Sequence, residues 1–122
     1  MLRSDLNKLK HIKCIESIEF SGFNPVTEVR KMAGDLFYLT VRTLENPSVE
    51  HGITCCVNGF YRNDNAERSV FSPYPSQRGA NPCFSYSLIG CLNQLSPMFG
   101  KNLQIYLESI LKTEPYFISP VA

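Results

Sequence analysis

The side chains in this sequence that could do chemistry are two histidines, His11 and His51, and five cysteines. A zinc site needs ligand pairs at short, regular spacing, such as Cys-x-x-Cys, and the sequence contains no such pair. A nucleophilic Cys–His pair is conceivable for His51 and Cys55 on one strand face, but it also needs a cleft and an orienting group. We therefore predict no metal site, no cofactor and no catalytic residue. The cysteines are Cys14, Cys55, Cys56, Cys83 and Cys91.

Cysteine usage and the absence of targeting signals indicate the compartment. Five is an odd number in a chain of 122 residues, whereas disulfide scaffolds are shorter and denser in cysteine. The first residues lack the apolar core of a secretory signal, and no apolar run is long enough to cross a bilayer. We predict a cytoplasmic protein that does not insert into membranes and keeps its cysteines reduced as small apolar fillers.

Charge and glycine patterns limit the ligands. No glycine-rich phosphate loop occurs, so we predict no nucleotide and no small-molecule substrate. A net charge of +1 argues against RNA binding by bulk electrostatics, yet four cations could form a local basic patch. The alternative is an ordinary mixed, solvated surface. The cations of the candidate patch are Arg30, Lys31, Arg42 and Arg62.

Alternating apolar and polar residues predict a small antiparallel sheet. Asn58-Gly59 between two such runs predicts a hairpin with a type I′ turn. The connections are too short for the helical crossovers that parallel pairing needs, so the strands should form a meander. The predicted strands cover residues 15–20, 35–44, 51–57 and 60–62, with a further short one at 69–71. Residues 72–83, rich in proline and serine, are expected to form a surface loop.

Two amphipathic helices are predicted after this loop, meeting at Ser96-Pro97, where serine caps the second helix and proline occupies its first position. The second helix carries an apolar stripe that includes Leu103, Leu107 and Leu111. We favour burial of this stripe against the sheet; the alternative is a helix surface that docks into a partner's groove. The predicted fold class is α+β, a small antiparallel meander sheet covered on one face by C-terminal helices.

Several strings follow one another in an order and spacing that resemble the N-terminal region of the clustered mitochondria (CLU) family. They are SGFNP at 21–25, RKMAGDLFYL at 30–39, GFYRN at 59–63, FSP at 71–73 and LNQLSP at 92–97. Within that family the segment is similar to the domain of the glycogen synthase kinase interacting protein. The predicted domain covers residues 13–113, with 1–12 and 114–122 as flanking segments.

The resemblance implies a cytoplasmic protein that controls mitochondrial distribution, binds mRNAs for mitochondrial proteins and associates with the translation machinery. We therefore predict a non-enzymatic protein-interaction domain of a CLU-type protein. Its partners would be proteins, with mRNA or ribosome-associated complexes reached through the full-length family member. The alternative is a stand-alone adaptor that binds glycogen synthase kinase through its C-terminal helix, with Leu103, Leu107 and Leu111 as contacts.

Overall fold

The computed structural model describes Leu6, Leu9 and residues 13–66, 70–76 and 81–113, without the side chains of 112 and 113. Four strands come first, with one short helix among them, and two helices follow. In chain order the elements are β1 (Ser17–Phe20), α1 (Glu28–Met32), β2 (Asp35–Arg42), β3 (Glu50–Cys56), β4 (Gly59–Asn63), α2 (Leu88–Leu95) and α3 (Pro97–Thr113).

The four strands form one antiparallel sheet in the order β1-β2-β3-β4, which confirms the predicted meander. Leu39 of β2 lies opposite Phe20 of β1 and Ile53 of β3, so the central strand is paired on both sides. The pairing of β2 with β3 shifts between Asp35 and Phe37. At this irregularity the side chain of Asp35 is buried, whereas that of Leu36 is exposed.

The hairpin between β3 and β4 is confirmed, but the predicted type I′ turn centred on Asn58-Gly59 is wrong. Cys56 pairs with Gly59, so Val57 and Asn58 form the turn. Gly59 has a φ of +136° and Asn58 does not have a positive φ. A Cβ atom on Gly59 would also collide with the carbonyl oxygen of Ser85. Glycine is therefore required at this position for conformation and for space.

The predicted hydrophobic face of the sheet is buried beneath the C-terminal helices, as the fold class requires. Leu39 and Val41 contribute from β2, and Leu92 and Phe99 cover them from α2 and α3. Two side chains that precede residue 13, Leu6 and Leu9, also belong to this core. The remaining core residues are Cys14, Ile15, Ile18, Ile53, Cys83, Leu88 and Cys91.

The opposite face of the sheet is covered by the segment around Pro73, which the sequence predicted to be a surface loop. The carbonyl oxygen of Pro73 accepts hydrogen bonds from the Thr54 hydroxyl at 2.8 Å and the Tyr61 hydroxyl at 2.7 Å. Tyr38 on the same face is fully buried, with the ring of Phe71 5.4 Å away. Because this segment is polar and rich in proline, it has no apolar periodicity from which its packing on the sheet could be predicted.

Other local predictions had mixed outcomes. Val70 and Phe71 lie outside any strand, so the short strand predicted at 69–71 is wrong for its described residues. Helix α1 was not predicted; Thr27 caps it by accepting a hydrogen bond from the N–H of Arg30.

The outer edge of β4 is also paired, because Phe60 exchanges backbone hydrogen bonds of 2.7 and 3.0 Å with Ser85. This pairing protects an edge that would otherwise be open to other chains.

Candidate partner-binding surface

Helix α3 begins where the sequence predicted, and its first turn is firmly held. The hydroxyl oxygen of Ser96 accepts a hydrogen bond from the N–H of Phe99 at 3.0 Å, and Pro97 is the first helical residue. Glu45, from the loop after β2, accepts a second hydrogen bond from the N–H of Met98 at 2.9 Å. Two of the free N–H groups of the helix start are thereby satisfied.

The apolar stripe of α3 divides into a buried base and an exposed end. Phe99 is fully buried and Leu103 packs against the core. Leu107 is 50% exposed and Leu111 is 43% exposed. Burial of the whole stripe against the sheet, which the sequence favoured, is therefore wrong for these two leucines. We call Leu107 and Leu111 the distal stripe.

Two further apolar side chains of α3 are exposed: Tyr106 lies about 100° around the helix from Leu107, and Ile105 lies on the opposite side. Ile105 is 55% exposed and Tyr106 is 37% exposed. Single exposed apolar residues are common on proteins, but several together on one rigid element are typical of an interaction site. The fixed helix start holds this end in place without covering it.

The four cations of the predicted basic patch do not come together. Arg30 binds the buried carboxylate of Asp35 at 2.9 Å, and Lys31 lies 3.4 Å from Glu28 on the exposed side of α1. Arg42 lies at the opposite end of β2 from Asp35, about 23 Å away at the rise of a strand. It pairs there with Glu50 at 2.7 Å.

Arg62 lies away from the other three cations. It is buried opposite Ile53, on the core side of the sheet, and a guanidinium N–H reaches the carbonyl oxygen of Asn81 at 3.5 Å. An arginine in this position stabilises the loop beside β4. It does not present its charge to a phosphate backbone.

Asp35 is the centre of the most tightly bonded polar cluster. Its carboxylate accepts two hydrogen bonds from Arg30, at 2.9 and 3.2 Å, and one from the Tyr38 hydroxyl at 2.7 Å. The hydrogen bond with Asp35 raises the pKa of Arg30. Burial, together with Asp35, raises the pKa of Tyr38. The cluster joins α1 to the start of β2 and carries no net charge.

The histidine and cysteine positions give no reactive arrangement in the part of the chain that the structure describes. His51 and Cys55 are four residues apart on β3, about 13 Å at the rise of a strand, so they cannot form a catalytic pair. Burial raises the pKa of Cys55 to about 11 and that of Cys91 to about 12. Among the described residues no group of three histidines, cysteines or carboxylates could hold a metal ion; His11 lies outside them.

An open groove of about 910 Å³ lies at the end of the sheet where β3 turns into β4. No sequence pattern predicted a role for Phe84 and Tyr86 in this groove, because exposed aromatic residues that are close in sequence have no distinctive spacing. We call it the aromatic groove. Its lining includes Arg30, Asp35, Val57, Tyr61, Phe84 and Tyr86.

Comparison with known proteins gives a consistent result across eukaryotes. A clustered mitochondria protein homolog of Xenopus tropicalis is 40% identical over 108 residues, 88% of this chain and 8% of that protein. The Homo sapiens protein of the same name is 39% identical over the same shares. The matched segment belongs to the clustered mitochondria family. The clustered mitochondria protein of Arabidopsis thaliana, 35% identical over 88% of this chain and 7% of its own length, extends the family to plants.

The chain spans only about 8% of the length of these clustered mitochondria proteins. No family model and no solved structure matches it. The relationship to the glycogen synthase kinase interacting protein therefore stays a prediction.

No helix among the described residues is both long and apolar enough to cross a membrane.

Proposed function

We propose that this chain is a non-enzymatic protein-interaction domain of a CLU-type protein and that it binds its partner through the distal stripe of α3. The observation that carries the proposal is the exposure of Leu107 and Leu111 on a helix whose start is anchored by Glu45 and Ser96. An amphipathic helix that exposes its apolar side in this way can bind in a hydrophobic groove of another protein. Such a groove contacts apolar side chains that are one helical turn apart.

We further propose that the domain serves the clustered mitochondria function in the cytoplasm. Its protein contacts would contribute to mitochondrial distribution and to the handling of mRNAs for mitochondrial proteins in association with translation. The sequence similarity and the names of the relatives support this proposal. Residues 13–113, with Leu6 and Leu9, would form the folded unit that carries the stripe.

A chimaera tests this role in cells. In human cells that lack their clustered mitochondria protein homolog, a version whose matched segment is replaced by this chain should restore dispersed mitochondria. The variant Leu107→Asp/Leu111→Asp should fail, because two carboxylates cannot enter an apolar groove. Ser109→Asp, an acidic change at an exposed position on the opposite side of the same helix, should restore the distribution. Equal restoration by the double variant would refute the role of the distal stripe.

A second candidate function uses the same helix: a stand-alone adaptor for glycogen synthase kinase. The exposure of Leu107 and Leu111 favours it as much as it favours the first candidate. A pull-down of purified kinase should retain the kinase on the wild-type chain and lose it with Leu107→Asp, while circular dichroism shows that the variant is folded. No detectable retention by the wild-type chain would remove this candidate.

We propose that RNA contacts of such a protein are made outside this domain. Arg30, Lys31 and Arg42 each have a carboxylate partner, which leaves these three members of the predicted basic patch with little uncompensated charge for phosphates. Filter binding of single-stranded RNA should therefore be weak and nearly independent of salt. A steep salt dependence that disappears in Lys31→Ala/Arg42→Ala would instead support the basic patch.

A further inference from the structure

The distal stripe offers only a small apolar surface to another molecule. Leu107 is 50% exposed, Leu111 is 43% exposed and Tyr106, at the edge of the stripe, is 37% exposed. Even a fully buried aromatic side chain contributes only about 150–250 Å² of contact area. At these exposures the three side chains together present roughly 300 Å² or less. The size of this surface limits the kind of partner that it can hold.

The distal stripe is too small for a stable complex between two separate proteins. Such a complex usually buries about 800 Å² on each partner. Interfaces between domains of one chain begin at about 600 Å² in total, or roughly 300 Å² on each side, and are more polar. The stripe has a polar border of this kind, since the exposed Gln104 and Glu108 share a hydrogen bond of 3.3 Å next to Leu111. Its size and its border both match an interface within one chain.

A tether allows so small a surface to form a lasting contact. Two binding surfaces in one chain have an effective concentration in the millimolar range, so a contact that is weak between free proteins can form within one molecule. The relatives contain such a tether, because the matched segment is 8% of the Xenopus tropicalis protein and more than nine-tenths of that polypeptide lies outside it. The anchored start of α3, held by Glu45 and Ser96, gives the stripe a fixed direction relative to the sheet.

We propose that the distal stripe packs against another part of the same clustered mitochondria polypeptide, so that α3 joins this domain to the rest of the molecule. This inference rests on the proposed function, because it names the partner of the distal stripe. The receiving surface is apolar where it meets Leu107 and Leu111 and carries hydrogen-bond donors for the carboxylate of Glu108 at its border. A contact within one chain persists on dilution, whereas a separate partner protein or a second copy dissociates.

Hydrogen–deuterium exchange with mass spectrometry tests the inference on two whole proteins. They are the free chain and the chimaera, in which this chain replaces the matched segment of the human clustered mitochondria protein homolog. The amides of residues 104–111 should exchange about tenfold more slowly, or slower still, in the chimaera, because the contact protects a helix end that is exposed in the free chain. This protection should persist when the chimaera is diluted. Equal exchange in the two proteins, or protection that disappears on dilution, would overturn the inference.

Two matched variants locate the protecting contact on α3. Leu107→Asp/Leu111→Asp should abolish the added protection, because carboxylates are costly to bury in an apolar surface. Ser109→Asp, on the opposite side of the helix, should retain it. Each variant chimaera is compared with the same variant of the free chain, so that changes in the helix itself cancel. An equal loss of protection in both variants would show that the distal stripe is not the surface in contact.

This inference and the proposed function fail in different ways. The cell assay measures whether mitochondrial distribution depends on the distal stripe, and the exchange assay measures whether the same polypeptide covers the stripe. A stripe that is required in cells but unprotected in the chimaera would leave the proposed function standing and overturn this inference, since the partner would then be another protein. Protection in the chimaera together with normal mitochondria in the double variant would support the contact within the chain and refute the proposed cellular role.

Discussion

The carboxylate of Glu45 and the hydroxyl of Ser96, 51 residues apart in sequence, share a hydrogen bond of 2.5 Å at the start of α3. The other carboxylate oxygen accepts the Met98 N–H. Glu45 therefore acts as a capping carboxylate supplied by a distant loop, and its negative charge is placed favourably at a helix N-terminus. This contact fixes where the helix that carries the distal stripe leaves the domain.

Glu45→Gln should lower the free energy of unfolding by about 1–2 kcal/mol at neutral pH. Burial raises the pKa of Glu45, but the hydrogen bonds from Ser96 and Met98 outweigh it, and the net effect is a lowered pKa. The stabilisation from ionised Glu45 is thus complete above its unfolded pKa and is lost as the pH falls through the folded value.

Urea unfolding of wild type and Glu45→Gln at about pH 7 and about pH 3 checks this. The difference between the two proteins should be clear at the higher pH and should shrink at the lower one. A difference that stays the same at both values would mean that the charge of Glu45 does not contribute.

Core and distal leucines should respond differently to truncation. Leu92→Ala should lower the free energy of unfolding by about 2–5 kcal/mol, because Leu92 is 1% exposed and its removal leaves a cavity. Leu111→Ala should change it by less than about 0.5 kcal/mol. Denaturant unfolding of both variants measures this contrast, and a large loss in Leu111→Ala would show that the distal stripe is part of the fold.

Removing Asp35 should be strongly destabilising. Asp35→Ala leaves the guanidinium of Arg30 and the hydroxyl of Tyr38 without their buried partner, a cost of about 3–5 kcal/mol. Glu28→Ala removes the exposed partner of Lys31 and should cost less than about 1 kcal/mol. Thermal and urea unfolding of both variants provide the comparison. Similar losses from the two substitutions would contradict the importance of burial.

Thiol labelling should distinguish one cysteine from the other four. Cys14, Cys55, Cys83 and Cys91 are buried, and burial raises the pKa of each. Cys56 is partly exposed at the edge of the aromatic groove. Iodoacetamide at neutral pH, followed by peptide mass spectrometry, should therefore modify Cys56 first and the others only as the chain unfolds. Rapid labelling of Cys91 would contradict its buried position.

The sequence by itself determined the strand meander and the position of the helix break. The alternation of apolar and polar residues in 35–44 predicts which side chains face the core, since successive side chains point to opposite faces of a strand. Ser96-Pro97 specifies a helix start by local chemistry alone, because a serine hydroxyl and a missing N–H act within a single turn. The family relationship also followed from local strings, and the relatives confirm it.

Tertiary structure alone decided which parts of these elements are covered. Leu103 and Leu107 lie about one turn apart in the helical pattern, yet among the described residues Leu103 packs against the core while Leu107 is half exposed. Arg42 and Arg62 looked like members of one patch, but pairing places them on strands that are not neighbours and on opposite faces of the sheet. Burial and charge compensation depend on contacts between distant segments, and no local pattern encodes those.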